Sequence, residues 1–305
     1  MATAAMTHAQ QQRRGRALQG MIGRALFWIL ITISLIYTIC PFYWAIVSSL
    51  KPSTELFDTP VAYWPKNPTL QNDRDVFDNP IFPLALRNSV VVTVVTVSLA
   101  LVIGSLGAYA LGRLRFRGRT FILYLTLSMT MFPQIAILGS LYQMIVGIGL
   151  YNRIPALIFS YMVFTLPFTV WVLANFFKAM PGELEEAAFV DGTTPMQTFR
   201  LVLLPLAAPG LVTTGLLAFI SAWNEFLFAL TFTQDYGDPE HFLNLGTGAR
   251  TAIVAVATFA GRQQFELPWG SIMAASVTLT IPLVILVLIF QRRIMAGLTA
   301  GAVKG

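Results

Sequence analysis

The chain has 305 residues, of which 56% are hydrophobic and only 11% are charged, with a formal net charge of +6. Soluble domains carry about a quarter of charged residues, so this composition excludes a soluble globular protein and indicates that the bilayer is the solvent. The basic excess does not predict a nucleic-acid-binding protein, because it lies in short segments between long apolar stretches, where it anchors membrane spans.

The apolar stretches define the organisation of the chain. Residues 1–24 are rich in Ala, Gln and Arg and predict a disordered cytoplasmic tail. Each apolar stretch exceeds the roughly 20 residues that cross a hydrocarbon core, so residues 25–296 predict an all-α integral membrane protein with six transmembrane helices. The predicted spans are about 25–47, 88–112, 120–146, 154–177, 206–232 and 270–291, followed by a cytoplasmic tail at 297–305.

The distribution of Lys and Arg predicts the orientation. Most of the 20 basic residues fall in segments that share one side, including the cluster of Arg113, Arg115, Arg117 and Arg119. Cytoplasmic segments hold the excess of basic residues, so both termini and residues 178–205 are predicted to be cytoplasmic. Residues 51–86 and 233–269 are then external. The second of these loops carries an apolar patch too short to span, and we expect it to fold back toward the pore mouth or to bind an external partner.

Polar residues near the spans are candidates for a transport pathway, because they are costly in lipid. Pro133 and Gln134 fall near the middle of the third predicted span, where a proline kinks the helix. That bend either lines the pathway or serves helix packing. Asn88 and Ser89, at the outer start of the second span, are interpreted as interfacial residues.

The sequence Trp223-Asn224-Glu225 lies toward the end of the fifth predicted span. At about 1.5 Å per residue, Glu225 falls near the external interface, where its charge can be hydrated. We interpret Asn224 and Glu225 as part of an outer gate or a binding-protein contact rather than a coupling-ion site. Trp223 is interpreted as an interfacial anchor.

Residues 178–205 form a polar segment between two spans and predict two short helices. Pro181 suits a first helical position, and Glu183, Glu185 and Glu186 follow it, where the helix dipole favours carboxylates. Gly192 predicts a left-handed stop between the helices. Thr194-Pro195 then predicts a cap and a new first turn, and Leu204-Pro205 an end. The small residues of the first helix, Ala188 among them, are expected to let a partner approach closely.

The pattern Glu186-Ala187-Ala188, Gly192 and Leu204-Pro205 resembles the EAA loop of permease subunits in ATP-binding-cassette importers. In addition, Trp223-Asn224-Glu225-Phe226 and the C-terminal segment 297–305 are similar to those of maltose-transporter-type sugar permeases. The resemblance extends from about residue 85 to the end of the chain.

This resemblance implies the type I importer fold in a bacterial cytoplasmic (inner) membrane. The implied partners are a second, homologous permease chain, two cytoplasmic ATPase subunits and an external solute-binding protein. ATP and Mg²⁺ would bind to the ATPase, and no cofactor to this chain. The residues implied to dock the ATPase are Glu183, Glu186, Ala187, Ala188, Asp191, Gly192, Leu204, Pro205 and Lys304.

The sequence lacks the motif that ATP hydrolysis needs and the histidines that a metal cluster or a Ser-His-Asp triad within the membrane would need. The phosphate-binding pattern G-x-x-x-x-G-K-[ST] does not occur, so ATP hydrolysis is expected on another subunit. His8 and His241 are the only histidines and both lie outside the spans, which excludes a histidine-based metal cluster or a Ser-His-Asp triad within the membrane. We therefore expect a transport subunit rather than an enzyme.

The expected cargo is an uncharged di- or oligosaccharide, because the spans show no buried charge cluster that would balance an ion. Two alternatives remain. An ion-coupled secondary transporter would need paired acids or broken helices in two matching halves. A membrane receptor or scaffold would use the loop of residues 178–205 to dock a cytoplasmic partner without moving a substrate.

Overall fold

The computed structural model describes residues 2–233, 248–259 and 268–302, with side chains within 21–233, 248–259 and 268–291. A 3₁₀ turn spans Ser53–Glu55 and a π-helical turn spans Phe199–Leu203. The α-helices are α1 (Ala2–Ser49), α2 (Gln71–Asp78), α3 (Ile81–Arg113), α4 (Arg119–Thr130), α5 (Gln134–Gly147), α6 (Ile154–Ala179), α7 (Glu183–Val190), α8 (Pro195–Thr198), α9 (Leu204–Leu206), α10 (Ala208–Trp223), α11 (Leu227–Phe232), α12 (Ala252–Ala257) and α13 (Trp269–Ala302).

The chain divides into two compact units. The first unit consists of Met1–Asp73 with Trp269–Val277, and the second of Arg74–Pro268 with Thr278–Gly305. Helix α13 therefore begins in the first unit and continues in the second. The segment 178–205, which resembles the EAA loop, belongs entirely to the second unit.

In the first unit, helix α1 runs without interruption from Ala2 to Ser49. This differs from the predicted disordered tail at residues 1–24. Ala, Gln, Met and Arg all have high helix propensity, and no proline precedes Pro41, so the apolar span can propagate its helix into the tail. From Met21 to Ser49 the helix is apolar enough to cross a membrane, and its most apolar window buries no residue within the chain. Its side chains are therefore available to lipid or to another membrane chain.

The segment after α1 is organised around buried Lys51, which is 2% exposed. Its Nζ donates to the carbonyl oxygen of Ala62 at 2.5 Å and lies 4.9 Å from the ring centroid of Trp44. The Asn72 amide donates to the carbonyl oxygens of Ser49 and Lys51, both at 2.7 Å. These bonds bring the start of α2 back to the end of α1, so this part of the predicted external loop has a defined structure.

The second unit is built on α3 and α6, which form the most extensive helix pair. Small residues at the interface allow the two backbones to approach closely, as is common between membrane helices. Gly104 is the clearest case, because a Cβ atom there would lie 2.7 Å from Cγ2 of Thr169. Helix α10 packs against both α3 and α6.

Four helices in the described part of the chain are long and apolar enough to cross a membrane, and the number rises to six if each of two bent pairs is one span. Helices α4 and α5 form the first pair and meet at 93° around Pro133. The kink predicted there is a complete break, because proline lacks an N–H group and forces the preceding residue out of helical geometry. The second pair, Pro195–Leu206 and Ala208–Trp223, meets at 75°.

The predicted fifth span, 206–232, is not one helix. Helix α10 ends at Trp223, and α11 begins at Leu227 after a break. Glu225 lies in this break, where its carboxylate accepts hydrogen bonds from the N–H groups of Phe228 at 2.9 Å and Ala229 at 3.1 Å. Because these donors have no partner within α11, the carboxylate stabilises a new helix start.

Candidate functional site

The first helix of the segment 178–205 is α7. It begins at Glu183 after Gly182 and carries Glu183, Glu185 and Glu186 in its first turn. Pro181 precedes the helix and does not occupy its first position, which corrects the prediction. The carboxylates at this end complement the positive end of the helix dipole.

Gly192 ends this helix with φ of +82°, the left-handed conformation that its position predicts. Its N–H donates to the Phe189 carbonyl at 3.0 Å, and the N–H of Thr193 donates to the Ala188 carbonyl at 3.1 Å. The Thr193 hydroxyl also donates to the Ala188 carbonyl at 2.7 Å. The last carbonyls of α7 are thereby satisfied, and the chain reverses toward α8.

Thr194 starts the second helix through a capping box. The Gln197 N–H donates to the Thr194 hydroxyl at 3.4 Å, and the Thr194 N–H donates to the Gln197 side-chain oxygen at 2.8 Å. After α8 the backbone widens into the π-helical turn Phe199–Leu203 and tightens again in α9. Pro205 lies in α9, directly after this turn, and has no backbone N–H to donate. The widened turn before it relieves the clash between the proline ring and the preceding turn of helix. The helix continues one residue past the predicted end, to Leu206.

The loop is attached to the rest of the second unit by Arg113, the last residue of α3. Its Nε and Nη2 both lie 2.9 Å from Oε2 of Glu185, and the two side chains are only 10% and 17% exposed. The same guanidinium donates to three backbone carbonyls near the end of α6: those of Phe177, Met180 and Pro181. No local pattern predicts this contact, because Arg113 and Glu185 are far apart in the chain. Arg113 was interpreted as part of the basic cluster that anchors the membrane spans.

The structure leaves most of the predicted docking residues accessible. Glu183, Glu186, Ala187, Asp191, Gly192 and Pro205 are exposed, and Leu204 is half-buried. Ala188 is 6% exposed and packs within the chain, so the expectation that it offers a small surface to a partner is wrong. Its position on the inward side of α7 cannot be read from residue size alone. Lys304 lies outside the described residues.

Large apolar side chains on the loop are exposed. The sequence interpretation placed Val190 on the stripe that a partner could approach, but it missed Phe189, Met196 and Leu201. Phe189 is 46% exposed and Val190 is 87% exposed on α7, while Met196 and Leu201 on the second helical segment are 53% and 69% exposed. Exposed apolar groups near charged residues are typical of surfaces that bind another protein. Leu201 lies in the apolar run Leu201–Leu204 after Arg200, so the local sequence does not show which of these side chains is exposed.

The predicted pathway residues lie at separate places. Gln134 is exposed at the start of α5, immediately after the break at Pro133. Asn224 is exposed just beyond α10, and its amide donates to the Ile220 carbonyl at 2.9 Å. No hydrogen bond among the described residues joins Gln134 to Asn224 or Glu225. Trp223 is buried rather than interfacial, and its Nε1 donates to the Leu279 carbonyl at 3.2 Å.

The sequence interpretation also missed a polar network at the start of α3. Asn88 and Ser89, interpreted as interfacial, are buried. The Asn88 amide donates to the carbonyls of Gly248 at 2.9 Å and Arg250 at 3.1 Å, and the Ala252 N–H donates to Ser89 Oγ at 2.8 Å. These bonds fix the segment that follows residue 247 against the N-terminal end of α3.

A second part of this network starts from the turn before α6. The Gly248 N–H donates to the Asn152 carbonyl at 3.1 Å, and the Asn152 N–H donates to the Phe232 carbonyl at 2.9 Å. The Tyr161 hydroxyl lies beside the Glu225 carboxylate and Thr251. Both ends of the segment 234–247 are therefore held by α6 and the turn before it.

The described residues contain no group of three or more His, Cys, Asp or Glu side chains that could hold a metal ion. The loop 178–205 lies at the C-terminal ends of α3 and α6, and the polar network lies at their N-terminal ends.

Comparison with known proteins identifies the family. Residues 100–299 match the family described as the binding-protein-dependent transport system inner membrane component. The chain is 43% identical over 283 residues to the trehalose transport system permease protein SugB of Mycobacterium tuberculosis, covering 92% of this chain and 98% of the relative. It is 41% identical over 287 residues to the trehalose/maltose transport system permease protein MalG of Thermococcus litoralis, covering 93% and 98%.

A solved structure has the same fold. One chain of a bacterial ATP-binding-cassette transporter for import of the acidic polysaccharide alginate superposes with a TM-score of 0.73, covering 89% of this chain and 96% of that one. At 20% identity this likeness concerns the fold alone. The family match over residues 100–299 and the two relatives show that this chain belongs to the binding-protein-dependent transport system inner membrane components, the multi-pass permease subunits of ATP-binding-cassette importers.

Proposed function

We propose that the segment 178–205 couples ATP hydrolysis on a partner subunit to sugar import through this chain. The observation that carries the proposal is the two-sided character of the loop. One side is tied to α3 and α6 through Arg113, while Glu186, Ala187 and Val190 are exposed. A segment of this kind can bind a moving partner and transmit its displacement into the membrane helices.

The partners follow from the family and from what the sequence lacks. Without a phosphate-binding loop, this chain needs ATPase subunits to supply hydrolysis, and ATP and Mg²⁺ would bind there. We propose two such subunits in the cytoplasm, a second, homologous permease chain and an external solute-binding protein. The excess of basic residues supports an orientation with both termini and the loop 178–205 in the cytoplasm.

The proposed mechanism transmits a rigid-body movement. When the ATPase subunits close on ATP, they displace α7 and α8 together, because the turn at Gly192 joins them. Helix α6 ends only a few residues before α7, and α9 leads into α10 through the bend at Ala207. Displacement of the loop therefore tilts α6 and α10 and switches access to the pathway from one side of the membrane to the other.

The ATPase-docking surface proposed here combines the exposed motif residues with the exposed apolar ones. Glu183, Glu186 and Asp191 are the charged residues of this surface. The exposed Phe189 and Val190 side chains would become buried against the ATPase subunit on binding. The C-terminal tail with Lys304 is proposed as a second contact, on the ground of the family resemblance.

At the other end, we propose that the polar network anchors the external segment 234–247, so that a docked binding protein can act on α3 and α6. Asn88 and Asn152 are the anchors in this proposal, since they hold the residues that follow the segment. Asn224 and Glu225 belong to an outer gate, and Gln134 to a bend on the pathway.

We propose a di- or oligosaccharide as the cargo. The names of two relatives include trehalose or maltose, which makes these two disaccharides the first to test. The described spans add no cluster of acids that would indicate an ion as the substrate.

Uptake by proteoliposomes tests the proposal. The complete complex would be reconstituted with ATP inside and binding protein and labelled disaccharide outside. We expect uptake that requires ATP and persists when an ionophore dissipates ion gradients. Uptake that the ionophore abolishes would support an ion-coupled transporter instead. Binding of the ATPase without any uptake of sugars would support a receptor or scaffold.

A further inference from the structure

We propose that Arg113 is a positioning residue that makes α3 move as one body with α6 and the loop 178–205 during transport. This inference rests on the proposed function of that loop. It adds α3 to the moving helices, whereas chain connectivity alone would transmit movement only into α6 and α10.

The bonds of Arg113 join three elements at one point. All three guanidinium nitrogens are used: Nε and Nη2 contact Glu185 of α7, Nη1 donates to Met180 at 2.9 Å and Phe177 at 3.4 Å, and Nη2 donates to Pro181 at 3.1 Å. The Phe177 carbonyl also accepts the Met180 N–H at 3.2 Å, and the Met180 and Pro181 carbonyls follow the last turn of α6, where the negative end of the helix dipole favours a cation. The planar fork of arginine reaches carboxylate and carbonyls at once, which lysine cannot do.

A second, independent set of contacts joins the same end of α3 to the second helix of the loop. The Tyr109 hydroxyl donates to the Pro195 carbonyl at 3.3 Å, and its ring lies 5.0 Å from that of Phe199. One residue before Arg113, Gly112 lets α6 approach, since a Cβ atom there would lie 3.0 Å from the Ala174 carbonyl oxygen. The inner end of α3 therefore contacts α6, α7 and α8.

Movement of the loop without α3 would break this junction. Glu185 and Arg113 would each lose their partner in a largely solvent-excluded place, and removal of one partner from a buried pair is strongly unfavourable. The Met180 and Pro181 carbonyls would lose the Arg113 donor as well. The lowest-energy displacement therefore carries α3 with the loop, and α3 also bears Asn88 and Ser89, the anchors at its other end.

The test compares the number of ATP molecules hydrolysed per sugar imported, in proteoliposomes that hold the complete complex. We expect Arg113→Met to leave the ATPase bound and hydrolysing, but to raise this ratio about 5-fold or more, the lower range of coupling between sites. Arg113→Lys should give an intermediate ratio, because it keeps the charge and loses the fork. Arg117→Met removes the same charge from an exposed side chain four residues on and should match the wild type.

Glu185→Gln is the second test variant, for use if the Arg113 variants do not assemble. It preserves the shape of the side chain and keeps an oxygen acceptor for Arg113, but it removes the negative charge. We expect it to raise the ratio less than Arg113→Met, and the double variant to be no worse than Arg113→Met alone, as for two partners of one interaction. Ratios equal to wild type in both single variants would overturn the role of Arg113, as would losses of ATPase binding and uptake in equal proportion. A wild-type complex that imports no sugar with ATP would instead remove the proposed function.

Discussion

Replacement of Gly192 perturbs the loop at the one position where its backbone requires glycine. Its φ of +82° lies in the left-handed region, and no atom outside its immediate surroundings lies within 4 Å of the place where a Cβ would be added. The cost of a side chain is therefore backbone strain and not a clash. This separates the effect of the turn from any effect of packing.

The magnitude follows from this conformation. An L-residue held in the left-handed region costs about 1–2 kcal/mol relative to glycine, and a β-branched residue costs more. The turn is held by the 3.0 Å bond from Gly192 to Phe189 and the 3.1 Å bond from Thr193 to Ala188. A penalty of about 1–2 kcal/mol lowers the equilibrium constant between this turn and an open form about 5- to 30-fold.

The apparent affinity for the ATPase subunit should fall by up to the same factor, because only the closed turn presents the docking surface and the affinity scales with the closed fraction. We expect Gly192→Ala to weaken binding by up to about 5- to 30-fold, Gly192→Val to weaken it further, and Gly192→Asn to lie nearest to wild type. Binding of the purified ATPase subunit to the permease complex in nanodiscs, titrated by a fluorescence signal, measures these affinities.

Gly182 provides the matched control. It also has open space around a built Cβ, but its φ is −69°, which any residue adopts. Gly182→Ala should therefore bind the ATPase like wild type. Thr198, although not fixed in the motif, is unsuitable as a control because it is fully buried and bonded to Thr193. Equal affinities for Gly192→Ala and Gly182→Ala would refute the reasoning about the turn.

Three further outcomes are expected. The purified chain alone should hydrolyse no ATP above background, and hydrolysis with contaminating ATPases excluded would contradict the division of labour. In a Cys40→Ala background, an impermeant thiol reagent added to intact cells should label a cysteine at position 238 but not at position 186, and the reverse pattern would invert the topology. Glu225→Ala should lower the free energy of unfolding by about 1 kcal/mol through loss of the cap on α11, measured by thermal unfolding in detergent; an unchanged midpoint would contradict that role.

Local chemistry made the turns of the loop predictable. Gly192 and Thr194 act on their immediate neighbours, so their conformations follow from the residues themselves. Pro133 similarly marked the break between α4 and α5, although a bend of 93° is larger than a kink within one helix. The long apolar stretches likewise predicted the all-helical fold class, and their number, six, equals the upper number of spans in the described part of the chain.

Contacts between distant parts of the chain were not predictable. Arg113 meets Glu185, and Asn88 meets Arg250, across separations of 72 and 162 residues, and no local pattern reports which pairs meet. The direction in which Ala188 points also depends on how α7 is rotated against α8 and the π-helical turn Phe199–Leu203. That rotation is set by tertiary packing and not by the motif.

Hydrogen exchange of the permease complex, with and without the ATPase subunit, tests most directly whether residues 178–205 are the docking element. The account predicts slowed exchange in α7, at the turn of Gly192 and in α8 when the ATPase subunit binds. Residues 51–86 should exchange at the same rate in both states. Binding of the ATPase with unchanged exchange across residues 183–206, and protection elsewhere, would contradict the central claim.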